Sequence, residues 1–186
     1  MRYPCSGALA LILLVSALRA EVQFVDATAA AGITFVHQNG ARGEKHVPET
    51  MGSGLAFFDC DGDGGLDLYF VNTAGPAALY RNQGERRFAQ TAQSAGVANS
   101  GYGMGCAAAD YDNDGDEDLY LTCYGPNILY RNSGEGTFAD QTAQAGVGDP
   151  GMGMGAAFGD YDLDGDLDLY TPVGGARPGD QWENTL

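Results

Sequence analysis

Basic residues are scarce in this sequence. Nine Lys and Arg stand against 25 Asp and Glu, which gives a formal net charge of −16. A protein that binds nucleic acid without sequence preference needs a basic patch to meet the phosphates. The only adjacent basic pair is Arg86-Arg87, which we interpret as part of a solvated hairpin. The composition therefore predicts no nucleic-acid partner.

Long apolar runs are also missing after the N-terminus. The one such run covers residues 8–18 and is apolar except for Ser16. Arg2 precedes it. A transmembrane helix needs about 20 apolar residues, whereas a shorter run behind a positive charge is typical of a signal peptide. We predict a signal peptide over residues 1–20, cut after Ala20 or Ala17, and no membrane span once it is removed. The protein is then secreted or extracytoplasmic, in the periplasm or outside the cell.

Cysteine is too rare to hold the fold together. Outside the predicted signal peptide there are three, Cys60, Cys106 and Cys123, an odd number that excludes a disulfide-stapled miniprotein. Cys106 and Cys123 flank an acidic loop and would lie on neighbouring strands if that loop is a hairpin, so a disulfide between them is an alternative. We expect free, buried thiols instead, because a strand cysteine often serves as a small apolar residue. Cys60 is expected to be an ordinary loop residue.

The sequence is rich in glycine, with 29 residues, and in one acidic motif that occurs three times. The motif reads D-x-D-x-D-G-x-x-D and covers residues 59–67, 110–118 and 160–168. Carboxylates at alternate positions of a tight loop converge, and the glycine allows the turn. Two carboxylates about 4 Å apart repel by roughly 4 kcal/mol at an effective dielectric near 20. Ca²⁺, with six to eight oxygen ligands, suits such a loop better than octahedral Mg²⁺, so we predict about three calcium ions.

Comparing the copies separates ligands from other residues. Positions 1, 3, 5 and 9 are always aspartate, whereas position 7 is Gly65 in the first copy, so its backbone carbonyl is the expected ligand. Positions 2, 4 and 8 vary and are expected to point away. An EF-hand would need a glutamate at position 12 and flanking helices, but these flanks suit strands. The predicted metal residues are Asp59, Asp61, Asp63, Gly65, Asp67, Asp110, Asp112, Asp114, Asp116, Asp118, Asp160, Asp162, Asp164, Asp166 and Asp168.

The repeat extends beyond the acidic loops. Leu79-Tyr-Arg-Asn82 returns as Leu129-Tyr-Arg-Asn132, and the stretch from Phe24 to Ala-Gly-Ile33 returns from Phe88 and from Phe138. The loops begin about 50 residues apart, a period typical of β-propeller blades built from short strands. We predict an all-β fold, an incomplete β-propeller of about three blades with calcium-binding hairpin loops. The predicted units are residues 24–87, 88–137 and 138–186.

The second unit illustrates the expected blade. Strands are predicted over residues 103–109, 118–124 and 127–132, with a fourth beginning at Thr137. The Thr-Ala-x-x-Ala-Gly-Val stretch is expected to form a turn or a single helical turn between units. Gly-x-Gly before each loop loosely fits a dinucleotide-binding fingerprint, which requires a helix to follow it. Because this pattern recurs and runs into an acidic loop, we reject nucleotide binding and expect close backbone approach instead.

Together these motifs resemble FG-GAP/VCBS repeats, the calcium-loop blades that also build integrin α-subunit propellers. Residues 46–59, His-Val-Pro-Glu-Thr-Met-Gly-Ser-Gly-Leu-Ala-Phe-Phe-Asp, look like the opening of the first blade in the secreted cartilage-acidic-protein and ASPIC/UnbV group. The resemblance covers about residues 24–186. It implies Ca²⁺ binding through positions 1, 3, 5 and 9 and the position-7 carbonyl, with roles in adhesion or in contact with matrix or carbohydrate.

The resemblance also sets the functional expectations. Such propellers have about seven blades, whereas this sequence stops in its third unit, so we expect an N-terminal fragment or a piece that needs assembly. The main hypothesis is a secreted module with structural calcium that binds an unknown extracellular protein or glycan and is not an enzyme. The alternative is an exported propeller-scaffold enzyme acting on polysaccharide. Its only candidate residues are His37 and His46, in an insertion over residues 34–50 that we interpret as a polar loop.

Overall fold

The computed structural model describes residues 22–43, 47–51, 54–174 and 184–185. The predicted signal peptide and His46 lie outside these ranges. Within them the chain forms three antiparallel four-stranded sheets and very little helix, so the predicted all-β class is confirmed. The sheets follow one another along the chain and do not close into a ring, as expected for an incomplete propeller. No helix in the described ranges is long and apolar enough to cross a bilayer.

Twelve strands and three single-turn helices make up the fold. The strands are β1 Leu55–Phe58, β2 Asp67–Phe70, β3 Ala78–Asn82, β4 Phe88–Gln90, β5 Gly103–Ala109, β6 Asp118–Cys123, β7 Ile128–Asn132, β8 Phe138–Asp140, β9 Met152–Gly153, β10 Ala157–Gly159, β11 Asp168–Gly174 and β12 Asn184–Thr185. The helices are α1 Val47–Thr50, α2 Ala92–Ala95 and α3 Thr142–Ala145. Two sheets are simple meanders, β1-β2-β3-β4 and β5-β6-β7-β8, and the third has the order β10-β11-β12 with β9 also paired to β11.

The blade predicted for the second unit is confirmed within one residue at each strand boundary. The first strand is β5, the acidic loop forms the hairpin to β6, and β7 and β8 complete the sheet. The linker also matches, because α2 and α3 are single helical turns. Each ends in a left-handed glycine, Gly96 at φ 83° and Gly146 at φ 71°, which a glycine adopts without steric cost.

The sequence unit and the sheet are offset by one strand. The stretch that begins at Phe88 opens the predicted second unit, yet its first three residues form β4, which pairs with β3 of the first sheet. The stretch from Phe138 likewise supplies β8 to the second sheet. Each outer strand therefore belongs to the sheet before it, and the following helical turn carries the chain to the next sheet.

The main core lies between the first and second sheets. Phe58, Tyr69 and Leu79 from the first sheet are fully buried together with Leu119 and Leu121 from the second. Strand alternation explains this set, because residues two apart in a strand share a face.

Glycines at the inner strands let the sheets approach each other, as predicted. A Cβ on Gly54 would lie 2.7 Å from the Cα of Gly105. A Cβ on Gly105 would lie 3.2 Å from the Cα of Gly155. Larger residues at Gly54 and Gly105 would therefore force neighbouring sheets apart.

The three cysteines in the described ranges are free, as we expected for Cys106 and Cys123. Cys106 lies opposite Leu121 and Cys123 opposite Gly103, so the two thiols are not facing residues. Burial raises the pKa of Cys106 to about 12 and that of Cys123 to about 11, which keeps both protonated and unreactive at neutral pH. Cys60 differs from its expected role, because it is fully buried in the core between sheets.

Candidate metal centres

Each acidic loop joins the first and second strands of its sheet. The first lies between β1 and β2, the second between β5 and β6, and the third between β10 and β11. Each loop begins at a strand end and returns to a paired aspartate: Phe58 faces Asp67, Ala109 faces Asp118, and Gly159 faces Asp168. The antiparallel register thus brings position 1 next to position 9 at the mouth of each hairpin.

The first carboxylate of each loop folds the loop around itself. Asp59 accepts hydrogen bonds from the N–H groups of Asp63 and Gly64, at 3.2 and 2.8 Å. The same two bonds recur at Asp110, at 3.0 and 2.9 Å, and at Asp160, at 3.1 and 3.2 Å. The repeated pattern means that the loop conformation is set by the sequence itself.

Glycine and left-handed backbone at two positions make this winding possible. The position-6 glycines have φ of 83°, 96° and 98°. Position 4 is left-handed too, at Gly62, Asn113 and Leu163. Glycine and asparagine tolerate this conformation, but leucine is strained there, so the third loop retains the turn at some cost.

Position 9 is the most enclosed of the carboxylates. Asp67 and Asp118 are buried at 1% and 0% exposure. Asp118 accepts hydrogen bonds from the N–H of Tyr111 at 3.1 Å and of Asn132 at 2.8 Å. Asp67 accepts the equivalent bonds from Cys60 and Asn82. These carboxylates therefore tie the loop to the second and third strands.

Positions 1, 3 and 9 form a compact carboxylate triad in every loop. One oxygen from each residue lies within 4.8 Å of the other two. The triads are Asp59, Asp61 and Asp67; Asp110, Asp112 and Asp118; and Asp160, Asp162 and Asp168. Three carboxylate oxygens this close are a suitable donor set for a hard divalent cation.

Position 5 was also predicted as a ligand but is not part of the triads. Its carboxylate accepts the N–H of position 7. In the first loop, for example, Asp63 accepts the N–H of Gly65 at 2.7 Å. Asp114 and Asp164 do the same for Asp116 and Asp166. The side chain at position 7 is not among the triad residues, and the position-7 carbonyl stays a predicted ligand.

One atom in the first triad fits a bound cation especially well. The Oδ1 of Asp61 is buried and has no hydrogen-bond partner in the described part of the chain. Leaving a buried charged oxygen unpaired costs more than a lost neutral hydrogen bond. A cation held by Asp59, Asp61 and Asp67 would satisfy it, so the residues present fit a calcium ion.

The part of the chain that carries the acidic loops matches a known protein family. The FG-GAP-like repeat model matches residues 59–121 and 110–171, which together cover more than half of the chain. The chain belongs to the FG-GAP-like repeat family. Each matched repeat runs from one acidic loop through the strand that follows the next loop. No curated protein shows significant similarity to the chain.

A second repeated feature of the chain was not recognised as part of the site from sequence. The arginine of Leu-Tyr-Arg-Asn reaches the carboxylates of its own loop. Arg81 pairs with Asp61, and Arg131 lies 2.5 Å from Asp112 and 2.7 Å from Asp114. Repetition of the motif at a fixed distance from the acidic loop was the signal that could have revealed this pairing.

Neighbouring repeats are also linked through their loops. The carboxylate of Glu117, at position 8 of the second loop, accepts the N–H of Asp59 at 2.8 Å. Asn113, at position 4, donates to Asp166 of the third loop at 2.8 Å. Asn113 and Glu117 thus point away from their own loop, as expected, but Glu117 contacts the preceding loop and Asn113 the following one.

The surroundings of Asp118 disfavour its ionised form. Burial, and then the charges of Asp112 and Asp114, raise the pKa of Asp118 to about 6, although hydrogen bonds from Asn132 and Tyr111 oppose the shift. The raised pKa shows that the folded chain disfavours a full negative charge at this point. A divalent cation would reverse that preference.

His37, a candidate catalytic residue if the chain is an enzyme, is not part of the acidic loops. The Nε2 of His37 is 3.2 Å from the hydroxyl of Thr73, which in turn donates to the carbonyl of Gly103 at 3.3 Å. His37 therefore joins the inserted segment to the inner ends of two sheets. The position of His46 relative to it falls outside the described residues.

Proposed function

We propose that this FG-GAP-like chain is a calcium-stabilised repeat module that is exported and binds an extracellular protein or glycan. The observation that carries the proposal is the carboxylate triad, repeated three times with the same hydrogen-bonded loop. Calcium in each loop supplies two positive charges and six to eight oxygen bonds. The role of the ion is structural, since position 9 begins the second strand and, in the first two loops, also accepts an N–H from the third strand.

The chain's own residues prepare the sites before an ion binds. Position 1 fixes the loop through two backbone N–H groups, and position 9 accepts an N–H from its loop and, in the first two copies, one from the third strand. Arg131 partly neutralises Asp112 and Asp114, so the second loop is less repulsive than four bare carboxylates would be. We propose that the ligands are positions 1, 3, 5 and 9 with the position-7 carbonyl.

Export and partner choice are supported by sequence alone. The apolar run before residue 20 motivates the signal peptide, and the acidic composition argues against nucleic acid as a partner. The stretch at residues 46–59 supports kinship with the cartilage-acidic-protein and ASPIC/UnbV group. Adhesion or carbohydrate contact is the role we propose on that basis.

We favour a binding module over the polysaccharide-acting enzyme. His37 is engaged with Thr73, and this contact gives it a structural role that needs no catalysis. An enzyme would require unrepeated polar groups converging on a cleft. Turnover on a panel of glycans that is lost in His37→Ala would support the enzyme instead.

Calcium titration tests the proposal directly. Calorimetry on the metal-free protein should give three bound Ca²⁺ per chain, and Mg²⁺ should compete weakly because it prefers octahedral sites with several waters. Asp162→Asn should reduce the stoichiometry to about two by weakening the third triad. Binding of no calcium at extracellular concentrations would refute the proposal.

The raised pKa of Asp118 predicts a pH dependence of stability that calcium abolishes. Without calcium, the raised pKa means that the folded state binds a proton more tightly than the unfolded state, whose pKa is near 3.8. The contribution of Asp118 to stability therefore falls as pH rises from about 4 to 6. With calcium bound, the ion holds the pKa of the folded state below 3.8, so the contribution of Asp118 is nearly constant from pH 4 to 6 and is lost only as pH falls below about 4.

Denaturation across this window, with calcium and after its removal by dialysis, measures the two slopes. Asp118→Asn is the control, because it cannot titrate and should lose the difference between them. Equal slopes in the wild type with and without calcium would contradict the coupling.

A further inference from the structure

The first acidic loop is held from outside by residues of the second repeat. The N–H of Asp59, position 1 of the first loop, donates to the carboxylate of Glu117 in the second loop at 2.8 Å. The carbonyl of the next residue, Cys60, accepts from the side-chain amide of Asn132 at 2.9 Å. Glu117 is half-buried and Asn132 is buried, so water competes little for these two bonds. The backbone at the start of the first loop is therefore fixed across the interface between sheets.

Asn132 makes one bond more than its counterpart in the first sheet. Both Asn132 and Asn82 end a Leu-Tyr-Arg-Asn motif and donate their side-chain amides to the position-8 carbonyl of their own loop. These bonds are 3.0 Å long at Glu117 and 3.1 Å long at Leu66. Asn132 donates in addition to Cys60, which lies in the loop before its own. A residue that the repeat uses to hold one loop thus holds two loops here.

The turn between β7 and β8 covers the same part of the first loop. A Cβ on Gly136 would lie 3.4 Å from the Cβ of Asp61 and 3.3 Å from the guanidinium carbon of Arg81. The Asp61 side chain is only 10% exposed, and its Oδ1 has no hydrogen-bond partner in the described part of the chain. The buried oxygen that marks the first loop as a cation site therefore lies beneath a turn of the second sheet.

The same two residues of the second repeat are attached to the second triad. Glu117 directly precedes Asp118, and Asn132 donates its backbone N–H to the Asp118 carboxylate at 2.8 Å. Asp118 belongs to the second triad and Asp59 to the first. Short paths of covalent and hydrogen bonds thus connect the two triads, one through the side chain of Glu117 and one through Asn132.

We propose that the first and second loops bind calcium with positive cooperativity, and that Glu117 and Asn132 are the positioning residues that couple them. The inference rests on the proposed calcium sites and adds how two of them act on each other. A fixed Asp118 restrains Glu117 and Asn132, and these hold Asp59 and Cys60 in place. A loop that is already ordered loses less conformational entropy on binding its ion. By linkage, each site raises the affinity of the other by the same factor.

Repulsion between the two ions opposes this coupling. Salt at about 0.15 M screens exposed charges that are more than roughly 8 Å apart, which weakens the repulsion. The Glu117 carboxylate lies between the two loops and offsets part of the positive charge that the ions add. We therefore expect ordering to exceed repulsion at this salt concentration, with a coupling factor of at least about fivefold.

Calorimetric calcium titrations of variants at about 0.15 M salt measure the coupling. Asp162→Asn disables the third site, and a further Asp112→Asn or Asp61→Asn leaves only the first or only the second site. Neither of these two residues is hydrogen-bonded to Glu117 or Asn132 within the described ranges. Each remaining site should bind calcium at least about fivefold more weakly than in Asp162→Asn alone, and both should lose the same factor. Affinities that agree within about twofold, or that rise in the single-site variants, would overturn the proposal.

A second set of variants assigns the coupling to Glu117. Glu117→Ala should bring the coupling factor close to one, whereas Glu117→Gln should keep it, because the amide oxygen of glutamine can accept the same N–H of Asp59. Glu135→Ala is the matched control, since Glu135 is an exposed acid on the β7–β8 turn whose side chain forms no hydrogen bond in the described structure. Its removal should leave the coupling factor unchanged. A factor that is the same in Glu117→Ala as in the wild type would refute the role of Glu117.

Hydrogen exchange gives a readout that needs only one working site. In Asp61→Asn the first site cannot fill, yet calcium in the second site should slow exchange of the Asp59 amide by at least about fivefold. Unchanged exchange while calorimetry shows the second site to be filled would overturn the coupling and leave the calcium proposal standing. If no variant and no wild type binds calcium, both proposals are refuted.

Discussion

Removing calcium should lower the melting temperature of this protein by about 15–30 °C. With free Ca²⁺ at about a hundred times the dissociation constant, each site adds roughly 2.7 kcal/mol, so three sites add about 8 kcal/mol. A domain of this size has a total stability of about 5–15 kcal/mol. Each kcal/mol is worth about 2–4 °C at this length. The chelated chain should therefore be close to unfolding at ordinary temperature.

The physical reason lies in how the loops are joined to the sheets. Without the ion, three carboxylate oxygens within 4.8 Å repel one another, and Asp61 keeps a buried unpaired oxygen. Asp67 and Asp118 are buried at the base of their sheets and cannot move into water without breaking backbone hydrogen bonds. Repulsion in the loop is consequently transmitted to the strands.

Scanning calorimetry with calcium, with chelator, and with chelator plus excess Mg²⁺ measures the effect. Mg²⁺ should restore little of the lost stability, whereas added Ca²⁺ should restore all of it. If the melting temperature stays the same after chelation, the triads are ordinary solvated turns and the calcium proposal fails.

The periodic features of this molecule could be predicted from sequence because each is a local rule repeated at one spacing. Position-6 glycine, alternating aspartates and short apolar flanks set the hairpin loop, and the structure of β5 and β6 follows. Three copies in register also made the position-9 aspartate recognisable. Its burial at Asp118 agrees with an aspartate that directly begins a core strand.

Contacts between units could not be predicted, because they depend on which residues the sheets bring together. Nothing local to Glu117 indicates that it accepts the N–H of Asp59 in another loop. The burial of Cys60 has the same origin, since the neighbouring sheet covers it. The ion pair of Arg131 could be predicted in part. The spacing between this arginine and the acidic loop repeats, but the direction in which its side chain points depends on the strand register.

Asp118→Ala should be the most damaging single substitution in the loops, at about 5–9 kcal/mol with calcium present. It leaves the buried N–H groups of Tyr111 and Asn132 unpaired, at about 1–3 kcal/mol each, and it removes the roughly 2.7 kcal/mol contributed by the second site. In chelator the loss should be smaller, since calcium no longer contributes and burial of a charge is relieved.

Asp116→Ala is the matched control in the same loop. Its side chain lies outside the triad, and the first loop has Gly65 at that position, so the expected loss is below about 1 kcal/mol. Both variants are compared by urea denaturation with calcium and with chelator. The triad includes the carboxylate of position 9 and not that of position 7, and the buried Asp118 carboxylate also accepts one N–H from the loop and one from β7. Similar losses for the two variants would contradict that distinction.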